Sequence, residues 1–197
     1  MVTRKTAASR RSTPAHTYQL LVSLEEIEPK IWRRLWVPDH LTLAKIDRVI
    51  QAAMGWTNSH LHGFALDGRR FGIVDPEWDQ DPDLLEDKRF RLGDMLGTRV
   101  QDFQYTYDFG DGWVHSVRVE QVLVAREGIN TWPMCIAGAN ACPPEDVGGS
   151  YGYMEFLQAV RDPTHEQHEA MWRWWGGPFD PSGFDVNAAN IAIRRLK

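Results

Sequence analysis

Three histidines and a small group of acids are the residues whose types and spacing could do chemistry. His60 and His62 lie two positions apart in Ser59-His-Leu-His-Gly63. On a strand both would project from one face, with Cα atoms about 7 Å apart, and could share a metal ion. His115 comes from a separate alternating segment, Asp108 and Asp111 sit in the turn before it, and Cys142, Glu145 and Asp146 lie on a later loop. Three or four nitrogen, oxygen or sulfur ligands from this set suit zinc or another divalent transition ion. With an ion in place, Asp111 or Glu145 would serve as the base of a metal-dependent hydrolase or transferase. The competing expectation is structural. Strand histidines commonly hydrogen-bond locally, and an Asp in a Gly-Asp-Gly turn commonly stabilises the turn itself.

Other chemistries find less support. Asp108-Phe-Gly110 invites comparison with kinases, but no glycine-rich phosphate loop, strand lysine or His-Arg-Asp catalytic loop accompanies it. No Gly-x-Ser-x-Gly elbow occurs. Cys142 precedes Pro143-Pro144 and so does not open a helix whose dipole would lower a thiol pKa. His168 falls on an apolar helical stripe, where a core or interface histidine is the expectation.

A second type of site is suggested by aromatic and cationic residues. In Ile31-Trp-Arg-Arg-Leu-Trp-Val37, Ile31, Leu35 and Val37 share one strand face while Trp32, Arg34 and Trp36 share the other. A guanidinium over such rings can stack on them. The expectation is a cleft walled by this hairpin, the His-Leu-His strand with Trp113, and the Cys142-Pro-Pro-Glu-Asp146 loop. Arg33 and Arg34 would receive an anionic group there, Trp32 and Trp36 would supply apolar contact, and Asp108 and Asp146 would add polar contacts.

These residues must be positioned by strands in the first two thirds of the chain. Tyr18–Leu24 and Ile31–Val37 read as a hairpin. Leu43, Ile46, Val49, Ile50 and Ala53 recur at helical spacing, with Thr42 placed to cap the start and Gly55 to end the helix. Ser59–Leu66 turns at Asp67-Gly68 into Arg69–Ile73, and Phe103, Tyr105 and Tyr107 alternate before the Gly110-Asp-Gly112 turn and the strand carrying Trp113, His115, Val117 and Val119. His115 thus points inward. Val74–Arg89 reads as a surface excursion with a short helix after it at Leu92–Leu96, and residues 125–150 read as a long irregular connection. Helices follow: one on Tyr153, Phe156, Leu157 and Val160, one after a Thr164–Gln167 capping box ending at Gly176-Gly177, and a last one capped by Asp185. Strands followed by helices predict an α+β fold, an antiparallel sheet of hairpins packed against helices in a single domain over residues 17–197.

Composition narrows the function. The 197 residues carry 22 Lys+Arg against 27 Asp+Glu. Four of the basic residues (Arg4, Lys5, Arg10 and Arg11) lie in residues 1–16, which read as a disordered basic tail, leaving 18 against 27 for the body. So acidic a body is unsuited to a phosphate backbone, and nucleic acid would engage only the tail. No apolar run reaches the roughly 18 residues of a membrane span. Two cysteines build no disulfide framework, so a reducing cytoplasm is expected. Nine tryptophans, where average usage gives roughly two to three, imply a rigid aromatic core or an aromatic-lined groove.

Taken in order, Pro29-Lys-Ile-Trp-Arg-Arg34 with Val37-Pro38, Gly55-Trp-Thr-Asn-Ser-His-Leu-His62, Tyr107-Asp-Phe-Gly-Asp-Gly-Trp113 with His115, Cys142-Pro-Pro-Glu-Asp146 with Gly148-Gly149 and Gly152-Tyr153, and Phe179-Asp180-Pro181 with Phe184-Asp185 resemble the plasmid pRiA4b ORF-3-like family over roughly residues 17–196. The resemblance implies an α+β domain, often on plasmids or carried by mobile elements and elsewhere fused to small zinc-binding modules, with no established activity. The chain departs from the pattern at Val147, where many relatives carry a cysteine. The function expected is a binding or interaction module for a small molecule, peptide or protein, with the metal-dependent enzyme and the nucleic-acid accessory protein as alternatives.

Overall fold

The computed structural model describes residues 16–75, 81–99, 101–124 and 132–196. Eight strands form one sheet: β1 (His16–Leu24), β2 (Trp32–Pro38), β3 (His62–Leu66), β4 (Arg69–Gly72), β5 (Leu84–Glu86), β6 (Asp102–Tyr107), β7 (Trp113–Val124) and β8 (Met134–Ala139). Their order is β5-β4-β3-β6-β7-β1-β2-β8. The described pairs are antiparallel except β4–β5, which is parallel. Among the described residues five helices accompany it: α1 (Leu43–Met54), α2 (Leu92–Leu96), α3 (Gly149–Arg161), α4 (His168–Trp175) and α5 (Val186–Arg194). The fold class is α+β. Most of the basic tail, residues 1–15, lies outside the described residues.

Alternation decides which face is buried. Tyr18, Leu20, Val22 and Leu24 of β1, Leu35 and Val37 of β2, and Val117 and Val119 of β7 point to the core, while Gln19, Leu21, Ser116 and Arg118 between them stay half-buried or exposed. The apolar stripe of α1 (Leu43, Ile46, Val49, Ile50 and Ala53) covers that inner face. Each such aliphatic side chain contributes about 1.5–3 kcal/mol on burial. Gly55 ends α1 at φ 109°, a left-handed conformation that glycine adopts without a Cβ penalty. Thr42 stands at the N-cap without a side-chain cap bond.

Three expectations are corrected. The stretch from residue 125 to 150 is not wholly irregular: Met134–Ala139 joins the sheet beside β2. The small run Ala137-Gly138-Ala139 in its second half hides the strand pattern, and at Gly138 an added Cβ would lie 2.6 Å from the Phe184 ring. The surface excursion contains β5, which pairs through its backbone with β4. The Thr164–Gln167 box does not cap α4; Thr164 binds Asp162 Oδ1 through its amide and hydroxyl, and α4 starts after Gln167. Asp185 does cap α5, accepting from the amides of Asn187 and Ala188.

Candidate functional site

A ladder of rings on the inner face of β3, β6 and β7 determines where the polar groups can stand. Cross-strand register sets Phe64 opposite Tyr105, and Tyr105 opposite His115. Trp56, just past α1, stacks on Tyr107 at 4.7 Å and on Trp113 at 6.2 Å, and meets His115 edge-on at 5.4 Å. His115 is fully buried, with Nδ1 3.3 Å from the Tyr105 carbonyl and Nε2 lacking a partner. Burial lowers its pKa to about 4. The imidazole is a neutral core group.

The loop that contains Cys142–Asp146 is fastened across the end of this ladder. Trp56 donates its indole N–H to Pro143 O at 3.1 Å. Glu145 Oε1 accepts from Tyr107 Oη at 2.6 Å and from the Thr57 amide at 3.0 Å, while Oε2 takes the Thr57 and Ser59 hydroxyls. Burial pushes the Glu145 carboxyl up, but these hydrogen bonds outweigh it and hold the group below its ordinary range. On the other side Asp111 Oδ2 accepts the Gly148 amide at 3.1 Å. Both carboxylates expected as bases therefore serve as anchors.

So fastened, the loop presents Asp146 to His60. His60 Nε2 lies 3.0 Å from Asp146 Oδ1 and 3.5 Å from Asp108 Oδ2. Asp108, at φ 54° in the turn, uses its other oxygen to accept the amides of Gly110 and Asp111, which fixes the carboxylate. One ligand atom from each of the three residues falls within 4.8 Å of the others. His60 Nε2 is buried and makes no hydrogen bond of acceptable geometry to either acid. Asp108 is buried, His60 half-buried and Asp146 exposed, so the cluster opens to solvent on one side.

The three imidazoles do not converge. His60 lies in the bend before β3 rather than on the strand expected over 59–66, and His62, the first residue of β3, turns to Asp47 and Asp87 at 3.3 and 2.7 Å. The Tyr107 and Trp56 rings stand between His60 and His115. Cys142 is half-buried and not part of the cluster; burial pushes its thiol well above the ordinary range. Arg33 and Arg34 point to opposite faces. Arg33, 2% exposed, donates to the carbonyls of Trp32, Ala53, Ala139 and Asn140 and lies 4.1 Å from the Phe184 ring. Burial lowers its pKa. Arg34 forks onto Glu120 at 2.7 and 2.8 Å over Trp32, and Trp36 donates to Gln19. Trp32, Arg34 and Trp36 thus belong to the outer face of the sheet, away from the His60 cluster, while Trp113 packs in the ring ladder behind it.

The match to the plasmid pRiA4b ORF-3-like protein family covers residues 16–188, nearly the whole described chain. The chain belongs to this family. The chain is 41% identical over 181 residues to "Uncharacterized protein y4hQ" of Sinorhizobium fredii (strain NBRC 101917 / NGR234), covering 90% of this chain and 88% of that protein. Its fold is similar, at a TM-score of 0.76 and 36% identity, to the crystal structure of the protein of unknown function MM3350 from Methanosarcina mazei Go1, covering 87% of this chain and 96% of that one. Among the described residues of this family member, no helix is long and apolar enough to cross a membrane.

Sequence reasoning missed the partners of His62. Asp47, 1% exposed, accepts from Tyr105 Oη at 2.7 Å and Gln51 Nε2 at 2.8 Å. Its signal was available: position 47 falls on the apolar stripe of α1 beside Leu43, Ile46 and Ile50, where an acid must be paired to be tolerated.

Proposed function

We propose that His60, Asp108 and Asp146 bind one divalent transition-metal ion, and that the chain is a binding module whose ligand completes the coordination of that ion. Three protein ligands with one side open to solvent is the pattern of a site that keeps a position for a ligand. The observation that carries the reading is the buried, unpartnered His60 Nε2 facing two carboxylates at 3.5 and 3.0 Å. Ligand atoms each about 2.0–2.2 Å from one ion stand roughly 3.0–3.5 Å apart in tetrahedral or octahedral arrangements. One imidazole with two carboxylates suits zinc, iron(II) or manganese. Both carboxylates are oriented, since Asp108 is held by turn amides and Asp146 by the Glu145 anchor beside it.

Binding is favoured over hydrolysis because Glu145 and Asp111 already accept hydrogen bonds that hold the loop. The test is equilibrium dialysis of untagged protein against Zn²⁺ and Mn²⁺. One ion per chain is expected, with affinity falling at least a hundredfold in His60→Ala and in Asp146→Ala and unchanged in Cys142→Ala. No binding, or equal binding in all four proteins, would remove the proposal.

A further inference from the structure

A separate polar centre lies between α1 and the 3-10 turn at Asp87–Arg89, on residues the proposed metal site does not use. His62 Nε2 donates to Asp87 Oδ2 across 2.7 Å, with both side chains nearly sealed from solvent. The other ring nitrogen, Nδ1, stands 3.3 Å from Asp47 Oδ1, yet the alignment makes no hydrogen bond and Nδ1 is left without a partner. His62 is 5% exposed. Asp47 Oδ1 already accepts from Tyr105 and Gln51, and Gln51 Oε1 is itself buried without a donor. The network has more acceptors than donors, and a buried acceptor left unpaired costs about 1–3 kcal/mol.

Beside these groups is a cavity of about 360 Å³. Asp47, Asn58, His62 and Asp87 form its polar side, and Ala44 and Ile73 contribute apolar wall. Lys88, also on the lining, pairs with Glu86, so the exposed Arg48 is the remaining cation against Asp47 and Asp87. A metal ion is poorly served here, because Asp87 is held on the far ring nitrogen from Asp47. Asp47 and Asp87 outnumber Arg48, so a second positively charged donor would be accommodated.

We propose that this cavity binds a small primary alkylammonium ion. Its N–H groups match acceptors on the polar side: the Asp47 carboxylate, His62 Nδ1 and the Asn58 amide oxygen, which also accepts from Gln51 Nε2 at 3.2 Å. Its alkyl chain lies along Ala44 and Ile73. Two buried carboxylates offset the desolvation of the ammonium, and Asp87 fixes the orientation of the imidazole that receives it.

The probe is butylammonium chloride, titrated into uniformly ¹⁵N-labelled protein at constant ionic strength in the presence of EDTA, with n-butanol as the uncharged control. EDTA makes the outcome independent of the ion proposed at His60. Saturable amide shifts at Asp47, Asn58, His62 and Asp87 are expected with butylammonium and not with butanol. Asp47→Asn weakens binding at least tenfold. Ala44→Phe, which fills the cavity without touching the hydrogen-bonded network, abolishes it and decides the matter should Asp47→Asn fail to fold. Absence of saturable shifts, equal shifts with butanol, or undiminished binding in Ala44→Phe would overturn the proposal.

Discussion

The hydroxyl of Tyr107 donates a 2.6 Å hydrogen bond to Glu145, and the next residue along the chain, Asp146, thereby comes within 3.0 Å of His60. A strand residue in the ring ladder thus controls the position of a loop carboxylate. Tyr107→Phe removes one of the donors to Glu145 while keeping the ring stacked on Trp56. The expected cost is about 1–2 kcal/mol, together with roughly tenfold weaker binding of Zn²⁺ or Mn²⁺, the order of loss typical when a group that orients a ligand is removed. Paired urea unfolding and metal titration check this.

Gly152 of α3 makes the same loop possible from the other side. A Cβ there would collide with the carbonyl of Val147, which is backbone and has no rotamer to escape into. Gly152→Ala is expected to displace residues 145–148, weakening metal binding as severely as loss of a ligand while leaving most of the sheet folded. Amide chemical-shift mapping should confine the perturbation to this loop, its anchors at Thr57 and Asp111, and the start of α3.

The two neighbouring arginines are expected to behave very differently. Arg33→Ala leaves four carbonyls without their donor, including Ala53 O at the end of α1, and uncovers Phe184. A loss of about 3–5 kcal/mol follows. Arg34→Ala breaks one partly solvated fork with Glu120 and is expected to cost about 1 kcal/mol. Equilibrium unfolding in urea separates the two.

Acid should destabilise the protein partly through His115. Its folded-state pKa of about 4 lies below the ordinary 6.5, so the unfolded chain binds the proton more readily. The contribution is fully present above pH 6.5 and is lost as pH falls through the interval down to about 4. Between pH 7 and pH 4.5 this single group accounts for about 2–3 kcal/mol. His115→Phe should show a correspondingly shallower loss of stability over that range, measured by urea unfolding at each pH.

Much of this architecture was legible because period-2 and period-3.6 patterns are strong in β1, β6, β7 and α1. The inward orientation of His115 followed from the same alternation. Where pattern was weak, reading failed for physical reasons. The second half of β8 is the small run Ala137-Gly138-Ala139, where Phe184 and Arg33 crowd Gly138, and its edge is satisfied by Asn190, whose amide bonds both backbone groups of Cys135. No alternation records such a partner. Likewise, spacing could not say that His60 would fall in the bend before β3 while His62 opens the strand, nor that their nitrogens would point to different acids. That depends on Asp47 arriving from α1 and Asp146 from a loop 86 residues downstream of His60.

X-ray absorption spectroscopy on the untagged protein loaded with one equivalent of Zn²⁺ reads the coordination sphere directly. The account predicts a single imidazole and oxygen ligands at about 2.0–2.2 Å, with no sulfur shell near about 2.3 Å. A sulfur shell, which would bring in Cys142, or two or more imidazoles, which would bring in His62 or His115, would contradict it.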